Sequence, residues 1–546
     1  MTENAATTEA PPVGARVYDA IVIGAGFSGL YQMLRLREIG LSARVLEAAD
    51  GVGGTWYWNR YPGARCDSES YYYSYSFSDE LQQEWTWSER YPGQAEILRY
   101  LNHVADRFDL RRDIQFDTRV AAASYDGAAN RWTITTTAGE VFVATFLITA
   151  VGCLSSANVP AIPGLSDFTG AWYHTGEWPH DGVDFTGKRV GQIGTGSTGI
   201  QAAPVIASQA AHLTVFQRTP NYSIPARNGP MDPEFDRAIK ANYAEVRRKT
   251  RHSVNGHPFD ISPVRALDVP EDERLALYER AWEVGGLQFR AVFHDLLTNR
   301  AANDTASDFI RAKIRAIVRD PAVAETLMPY DHPFATKRPP IDTEYFETFN
   351  RDNVSLVDLR RTPIERITPA GILTTEREYK LDIIVFATGF DAMTGPLLRI
   401  DIRGEHGTAL RDAWADGPQT YLGLQVAGFP NLFTITGPGS PSVLSNMPIA
   451  IEQHVDWIID CIQHMRAKGL ARVEATEEAQ ARWVAHVNEA AHATLLPQAA
   501  SSWYLGANVP GKPRVFMPYA GGAGRYRKIC ETVAANGYEG FRFRAG

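Results

Sequence analysis

Two glycine patterns of the same form constrain this chain more than any other feature of its sequence. The first follows a short apolar run, Val17 to Ile23, and reads Gly24-Ala25-Gly26-Phe27-Ser28-Gly29; amphipathic helical spacing then runs through Leu30, Met33, Leu34 and Leu36. This is the order strand, glycine turn, helix. Gly24 permits the tight turn, Gly26 lets backbone approach a pyrophosphate, and Gly29 allows the helix to pack closely on the strand. The helix start, with Ser28 in its first turn, aims free N–H groups at phosphates. A single loop of this kind also occurs as a plain structural turn. The next apolar run, Ala43 to Glu47, ends in an acid, however, and a carboxylate there can accept both hydroxyls of an adenosine ribose.

The pattern then repeats. Lys188 to Ile193 runs into Gly194-Thr195-Gly196-Ser197-Thr198-Gly199, and Ile200 and Gln201 continue a second helix-like stretch. The strand that follows, Leu213 to Gln217, ends in Arg218 and Thr219 where the first unit has Glu47. An acid at that place suits a free 2′-hydroxyl, and an arginine suits a 2′-phosphate. The first unit therefore predicts an FAD site and the second an NADPH site. For Arg218 alone, a solvated surface charge is the alternative. Two dinucleotide sites in one chain imply hydride transfer from nicotinamide to flavin, which restricts the classes to reductases and flavin monooxygenases.

At 546 residues the chain can bury two or three cores. We expect an α/β fold: two Rossmann-like dinucleotide-binding domains, the NADP domain inserted in the FAD domain, plus a helical insertion. The FAD domain takes residues 16–152 and 386–546, with the buried-strand runs Phe146 to Gly152 and Leu381 to Asp391 carrying the chain between domains. The NADP domain takes 153–229 and 335–385. Residues 230–334 are charged with periodic apolar positions (Phe235, Ile239, Tyr243, Val246, then Leu275 to Trp282), and are read as helices capping the active site. The formal charge of -9 is spread along the chain, which disfavours nucleic acid or anionic membrane as partners. Cys66, Cys153, Cys461 and Cys530 show no metal-like spacing, so reduced thiols in a cytoplasmic protein are expected, with no metal. Residues 1–15 lack the features of a signal peptide and read as a frayed tail. No uninterrupted apolar run approaches the roughly 20 residues that span a bilayer.

Between the glycine units lies Phe168-Thr169-Gly170-Ala171-Trp172-Tyr173-His174-Thr175-Gly176-Glu177-Trp178-Pro179. By itself this reads as a structural aromatic loop. It resembles the FxGxxxHxxxW(P/D) signature of type I Baeyer–Villiger monooxygenases. A second pattern of that family also fits: Gly53-Gly54-Thr55-Trp56 through Tyr61-Pro62-Gly63 to Asp67. With both glycine units at the usual distances, the resemblance covers nearly the whole chain. Stretches such as YWNRYPGARCD, ATKR and SWYLGANVPGKPRVFM make it most similar to the phenylacetone and steroid monooxygenase branch.

The resemblance implies a reaction in which O2 on reduced flavin gives a C4a-peroxyflavin that converts a ketone to an ester or lactone. It implies that Arg338, in the motif Thr336-Lys337-Arg338, stabilises the anionic peroxide, and that Asp67 orients Arg338. Without the family pattern, Arg338 reads as a surface partner of Asp342 or Glu344, and Asp67 as a turn carboxylate. The resemblance also assigns Thr55, Trp56, Tyr57, Trp58, Asp67, Tyr73, Val120 and Met447 to the flavin site. Arg65, Cys66, Lys337, Arg338 and Trp503 join the nicotinamide site, Lys337 beside Arg218 on the 2′-phosphate. Trp503 and the loop Gly506 to Lys512 resemble a mobile loop that closes over NADP; a buried aromatic anchor is the alternative. Cys66, Cys153, Leu154, Ser442, Val443, Leu444 and Met447 are implied to shape the substrate pocket. Phe168, Gly170, His174, Trp178 and Pro179 are implied to couple domain movement to catalysis rather than to touch the ketone. Cys153 and Pro339-Pro340 depart from many relatives and leave the ketone open.

The partner expected is a small-molecule ketone, and the assembly a monomer or weak oligomer. The nearest rival is an N- or S-oxidising flavin monooxygenase, which shares both glycine sites. A disulfide reductase needs a cysteine pair that Cys66 lacks, and a non-catalytic dinucleotide-binding protein is the remaining class.

Overall fold

The computed structural model describes residues 14–545, so all but the last two residues of the N-terminal tail lie outside the described residues. Each glycine unit builds one parallel sheet. In the first, the strand Arg16–Ile23 is flanked in parallel by Ala43–Leu46 and by Val141–Thr149. Ile114–Gln115 extends one side, while Arg131–Thr136, Val120–Asp126 and Asp401–Arg403 extend the other; Leu432–Thr434 also pairs with Val141–Thr149. The central strand is apolar throughout its second half because both faces are covered. On one face Leu30, Met33 and Leu36 of the helix Phe27–Glu38 pack down, and the long helix Met447–Ala467 lies against that helix. On the other, Ile21 and Ile23 meet Trp132, Phe142 and Ile402. Trp132 is fully buried and its indole N–H donates to the Pro430 carbonyl at 2.8 Å.

The second sheet is wholly parallel, in the order Val354–Asp358, His212–Gln217, Arg189–Ile193, Ile383–Phe386, Ala171–His174. The helix Ser197–Gln209 covers one face, and the antiparallel strands Ile364–Thr368, Gly371–Thr374 and Glu378–Lys380 cover the other through Ile367 and Ile372. The chain leaves the first sheet after Thr149 and rejoins it at Asp401–Arg403. The second sheet is thus inserted between strands of the first.

Residues 230–334 are helical: Pro233–Ala241, Tyr243–His252, Glu271–Val284, Arg300–Ile317 and Pro321–Leu327. Asp232, Asn299 and Asp320 cap three of them with side-chain oxygens on first-turn N–H groups. Tyr278, Trp282 and Phe309 enter the core of the second sheet. The periodicity misleads at Phe235 and Leu275, which are exposed. Both stand near the starts of their helices, on faces open to solvent, and Phe235 lies edge-on to Tyr71. Among the described residues no helix is long and apolar enough to cross a membrane, and no cluster of His, Cys, Asp or Glu is placed to hold a metal.

Candidate active site

The first turn is built by contacts that exclude side chains. Gly24 has φ +104°, and a Cβ on it would lie 2.7 Å from the Ala150 carbonyl oxygen. A Cβ on Gly29 would lie 1.8 Å from the Gly24 oxygen, so only glycine lets the helix come down onto the strand. Gly26 faces Gly54, and a Cβ on either would come to 3.3 or 3.0 Å from the other's Cα. The two turns form a backbone-lined cradle. The helix Phe27–Glu38 opens on it without a side-chain cap, which leaves first-turn N–H groups for an anion. Ser28 is buried there, and Glu47 closes the end of the next strand, accepting from the Ala25 N–H at 2.6 Å and the Ala49 N–H at 2.9 Å. Burial pushes the Glu47 carboxyl up, against the pull of those N–H groups. Its remaining lone pairs suit a ribose diol.

Around the cradle, Thr55–Trp58 forms one helical turn. Thr55 is exposed at its start, Trp56 and Tyr57 are buried, and Trp58 is half-buried. The Trp56 indole donates to the Tyr73 hydroxyl at 3.2 Å. Val120 packs its side chain with Ile21 and Leu46, two residues beyond Thr118, whose N–H donates to the Glu47 carbonyl. Met447 begins the long helix and touches two core clusters.

The second turn follows the same rules. Gly194 has φ +112°, with a Cβ only 2.3 Å from the Ala387 oxygen, whereas Gly196 faces open space. The helix Ser197–Gln209 again starts without a side-chain cap, and a Cβ on Gly199 would lie 2.3 Å from the Gly194 oxygen. Thr195 donates to the Thr219 carbonyl at 3.0 Å, Thr198 meets Thr175, and Ile200 is buried beneath. Gln201 ties this helix to the first turn's partner segment, accepting from the Tyr61 hydroxyl and donating to the Arg65 carbonyl. The Arg65 guanidinium itself is committed to Glu89 and the Tyr91 carbonyl, so Arg65 reaches the second turn through its backbone only. Arg218 is exposed at the end of its strand. Lys337 stands near it: burial pushes the Lys337 amine down, and the charges of Arg218 and Arg360 add to the fall against Asp331, leaving it at about 8. Three cations thus gather where the sequence reading placed a 2′-phosphate, and both turns fit the groups they predict.

Between the turns lie Arg338 and Asp67. The Arg338 Nη2–H donates to Asp67 Oδ1 at 2.7 Å, its Nε–H donates to Oδ2, and its Nη1–H donates to the Val443 carbonyl at 2.7 Å. Asp342, the alternative partner, is bound instead by Ser223 and the Tyr345 N–H. The Arg338 and Asp67 side chains are 19% and 21% exposed, so the pair is shielded without being sealed. Burial pushes the Asp67 carboxyl up, but the charge and hydrogen bonds of Arg338 outweigh it and hold the carboxyl below its ordinary value. Burial likewise lowers Arg338, and Asp67 more than restores it. Both groups stay ionised.

An apolar wall stands beside the pair. Cys153, Val443, Tyr504 and Met517 form its buried part, with Leu154, Leu444, Met447 and Trp503 packed against them. Ser442 is buried in the turn Ser442–Leu444 and approaches the Met393 sulfur at 3.9 Å. Cys66 is buried next to Asp67. Burial pushes the Cys66 thiol up, and the Cys153 thiol to about 11, so neither is a thiolate. All four cysteines are free.

Residues 18–229 match the flavin-binding monooxygenase-like family. A Baeyer–Villiger monooxygenase of Pseudooceanicola batsensis is 46% identical over 543 residues, 98% of this chain and 97% of that protein. A phenazine N-monooxygenase of Lysobacter antibioticus is 44% identical over 528 residues, 96% of each chain. A solved structure of oxidised steroid monooxygenase bound to NADP matches with a TM-score of 0.93 at 57% identity, over 97% of this chain and all of that one. This chain belongs to the Baeyer–Villiger monooxygenase family.

In this Baeyer–Villiger monooxygenase the signature segment is a loop that contains one short strand. Ala171–His174 forms the edge of the second sheet, with His174 opposite Phe386. His174 is 2% exposed, accepts from the Gly176 N–H at 3.0 Å and lies edge-on to Phe390; burial pushes its imidazole down to about 4. It is neutral, and no general base for the site. Phe168 is buried against Gly170, Trp178 packs with Tyr173 and Phe185, and Pro179 accepts from the Gly182 N–H.

Sequence reasoning missed several groups. Tyr504 is 2% exposed and lies beside Arg338; burial pushes its phenol up to about 12, against the lowering pull of Arg338 and Arg290. The motif holds both Trp503 and Tyr504, and only the fold of the turn Trp503–Leu505 decides which ring faces in. Lys512 donates to Asp391 at 2.6 Å and to the Ala392 carbonyl at 2.7 Å, and Asn508 to the Phe390 carbonyl, docking the loop after Gly506 on the strand end that follows Phe386. His257 and Arg290, from the helical insertion, approach the pair with no local pattern to announce them.

Proposed function

We propose that this enzyme converts ketones to esters or lactones with NADPH and O2, holding FAD on the first glycine cradle and NADPH on the second. The observation that carries this is the Arg338–Asp67 pair. Bound flavin, once reduced, supplies the activation of O2. Arg338 puts a permanent positive charge where negative oxygen must attack a carbonyl carbon, and again where charge develops on the carbonyl oxygen. Asp67 and the Val443 carbonyl fix its orientation, and N–H groups not used by either remain for that oxygen. The apolar wall of Cys153, Leu154, Val443, Leu444 and Met447 lines the substrate side and limits water. On the nicotinamide side, Arg218 and Lys337 read the 2′-phosphate, and Trp503 with the loop to Lys512 covers NADP. Phe168 to Pro179 transmits movement between the sheets.

Strand membership supports an FAD domain divided by an inserted NADP domain, but the strand Ile383–Phe386 of the second sheet runs past the limit at 385, and the helices of 230–334 pack into that sheet's core. The spread charge and free thiols support a cytoplasmic protein without nucleic-acid or anionic-membrane partners, and its assembly is proposed to be a monomer or weak oligomer. N-oxidation is the second reading, because the Lysobacter N-monooxygenase is 44% identical over 96% of the chain, though less similar than the 57% identical steroid monooxygenase. The deciding experiment offers ketones and N-heteroaromatics with NADPH and identifies products by mass. Ester or lactone from the ketones, lost in Arg338→Ala while NADPH still bleaches the flavin, supports the proposal. Ester formation that persists in Arg338→Ala overturns it.

A further inference from the structure

The helical insertion brings an unpaired cation to the site. Arg290 lies in the turn Leu287–Ala291 and is half-buried. Among the described residues its guanidinium makes no ion pair and no hydrogen bond to protein, and its Nε–H is buried without an acceptor. It is close enough to the central pair to be repelled by Arg338 and attracted by Asp67. His257, 4% exposed, lies in the same group, with Nδ1 unpartnered and the charges of Arg338, Arg290 and Asp67 acting on it. Arg247, in the same insertion, is by contrast engaged along its whole guanidinium, donating to Gln82, Ser74 and two carbonyls.

The charges around the pair do not cancel. Asp67 balances Arg338. The thiols of Cys66 and Cys153, the Tyr504 phenol and the His257 imidazole are all neutral near pH 7. Arg290 is left over. An unpaired charge out of bulk water is unfavourable, and an arriving anion relieves it. The NADP phosphates are not that anion in the reading above, because the uncapped helix start at Ser197 and the cluster of Arg218, Lys337 and Arg360 receive them. A carboxylate matches the flat guanidinium fork, and a neutral imidazole offers one further N–H donor.

We propose that Arg290, assisted by His257, binds a carboxylate on the substrate, so that the preferred ketones are oxo acids whose carbonyl faces Arg338. This rests on the Baeyer–Villiger reading for the carbonyl end only. The test uses the holoenzyme with a series of methyl-ketone acids, 5-oxohexanoate to 9-oxodecanoate, and the corresponding neutral amides. At the chain length that fits, the acid should exceed its amide in kcat/KM by about 10- to 100-fold, the range of a charge-assisted contact. Arg290→Met should remove that preference by lowering the acid far more than the amide, with Arg290→Lys keeping part of it. Calorimetric titration of the oxidised holoenzyme with acid and amide reads the same preference without turnover. If neither compound is oxidised, the Baeyer–Villiger reading falls and the titration still decides Arg290. Equal binding of acid and amide at every length overturns the proposal. So does a Met variant that slows both alike or raises the KM for NADPH instead.

Discussion

Arg338 and Asp67 stand 271 residues apart in the chain and meet in a two-pronged ion pair whose third anchor is the Val443 carbonyl. Three segments distant in sequence converge on one guanidinium, so its direction is set by the fold and not by its own rotamers. Asp67→Ala leaves the cation in place but frees it to turn. We expect ester formation to fall by about 100- to 1000-fold, the usual loss of one oxyanion-stabilising contact. Flavin reduction by NADPH in stopped flow should change far less. A comparable loss in both steps would show that Asp67 supports the fold and not the chemistry.

The same pair has a pH signature. The Asp67 carboxyl is held below its ordinary value, so its contribution to stability is present above the unfolded value, about 4, and is lost as pH falls through the folded one. Arg338 does not titrate in this range. The gap in melting temperature between the wild type and Asp67→Asn should therefore be constant from pH 6 to 8 and close below about pH 4. A gap that widens on acidification would contradict the assignment.

Gly29→Ala tests the flavin cradle. Its Cβ would stand 1.8 Å from the Gly24 oxygen, a backbone atom that cannot swing aside. The helix must lift from the strand, at a cost of about 1–3 kcal/mol. Purified variant protein should carry less flavin, read from the ratio of visible to ultraviolet absorbance, and melt lower when stripped of it.

Arg218 tests the second cradle. It is exposed and close to Lys337, at the strand end where coenzyme choice is made. Arg218→Ala should raise the KM for NADPH by about 10- to 100-fold and leave that for NADH nearly unchanged. An equal loss with both coenzymes would remove Arg218 from the 2′-phosphate.

What could be read from the sequence follows the range of the forces involved. The glycine turns, Glu47 and Arg218 were legible because close approach of backbone to backbone is a local demand that only certain residues meet. The pairing of Arg338 with Asp67 is not local. Charge alone favours Asp342 or Glu344 as the partner, and only the family motif points to Asp67. His257, Arg290 and the inward ring of Tyr504 were invisible, since each is delivered by the way a helical insertion or terminal turn settles against another element. The exposed Phe235 and Leu275 show the reverse failure: periodicity marks an apolar face without saying whether anything lies against it.

Lys337 gives the most discriminating pH experiment. Its amine sits at about 8, pushed down by burial and by Arg218 and Arg360 despite the nearby Asp331. It is mostly charged at pH 7 and mostly neutral at pH 9, where one unit above the midpoint leaves about a tenth protonated. A neutral amine no longer attracts a phosphate dianion, so the KM for NADPH should rise several-fold across this interval, up to about tenfold, while that for NADH stays flat. In Lys337→Arg the guanidinium cannot lose its proton, and the profile should be level. Its fork also sits differently, so the absolute KM is free to shift, and the shape of the curve is the readout. A rise with pH that survives in Lys337→Arg would assign the titration to another group and remove Lys337 from the phosphate site.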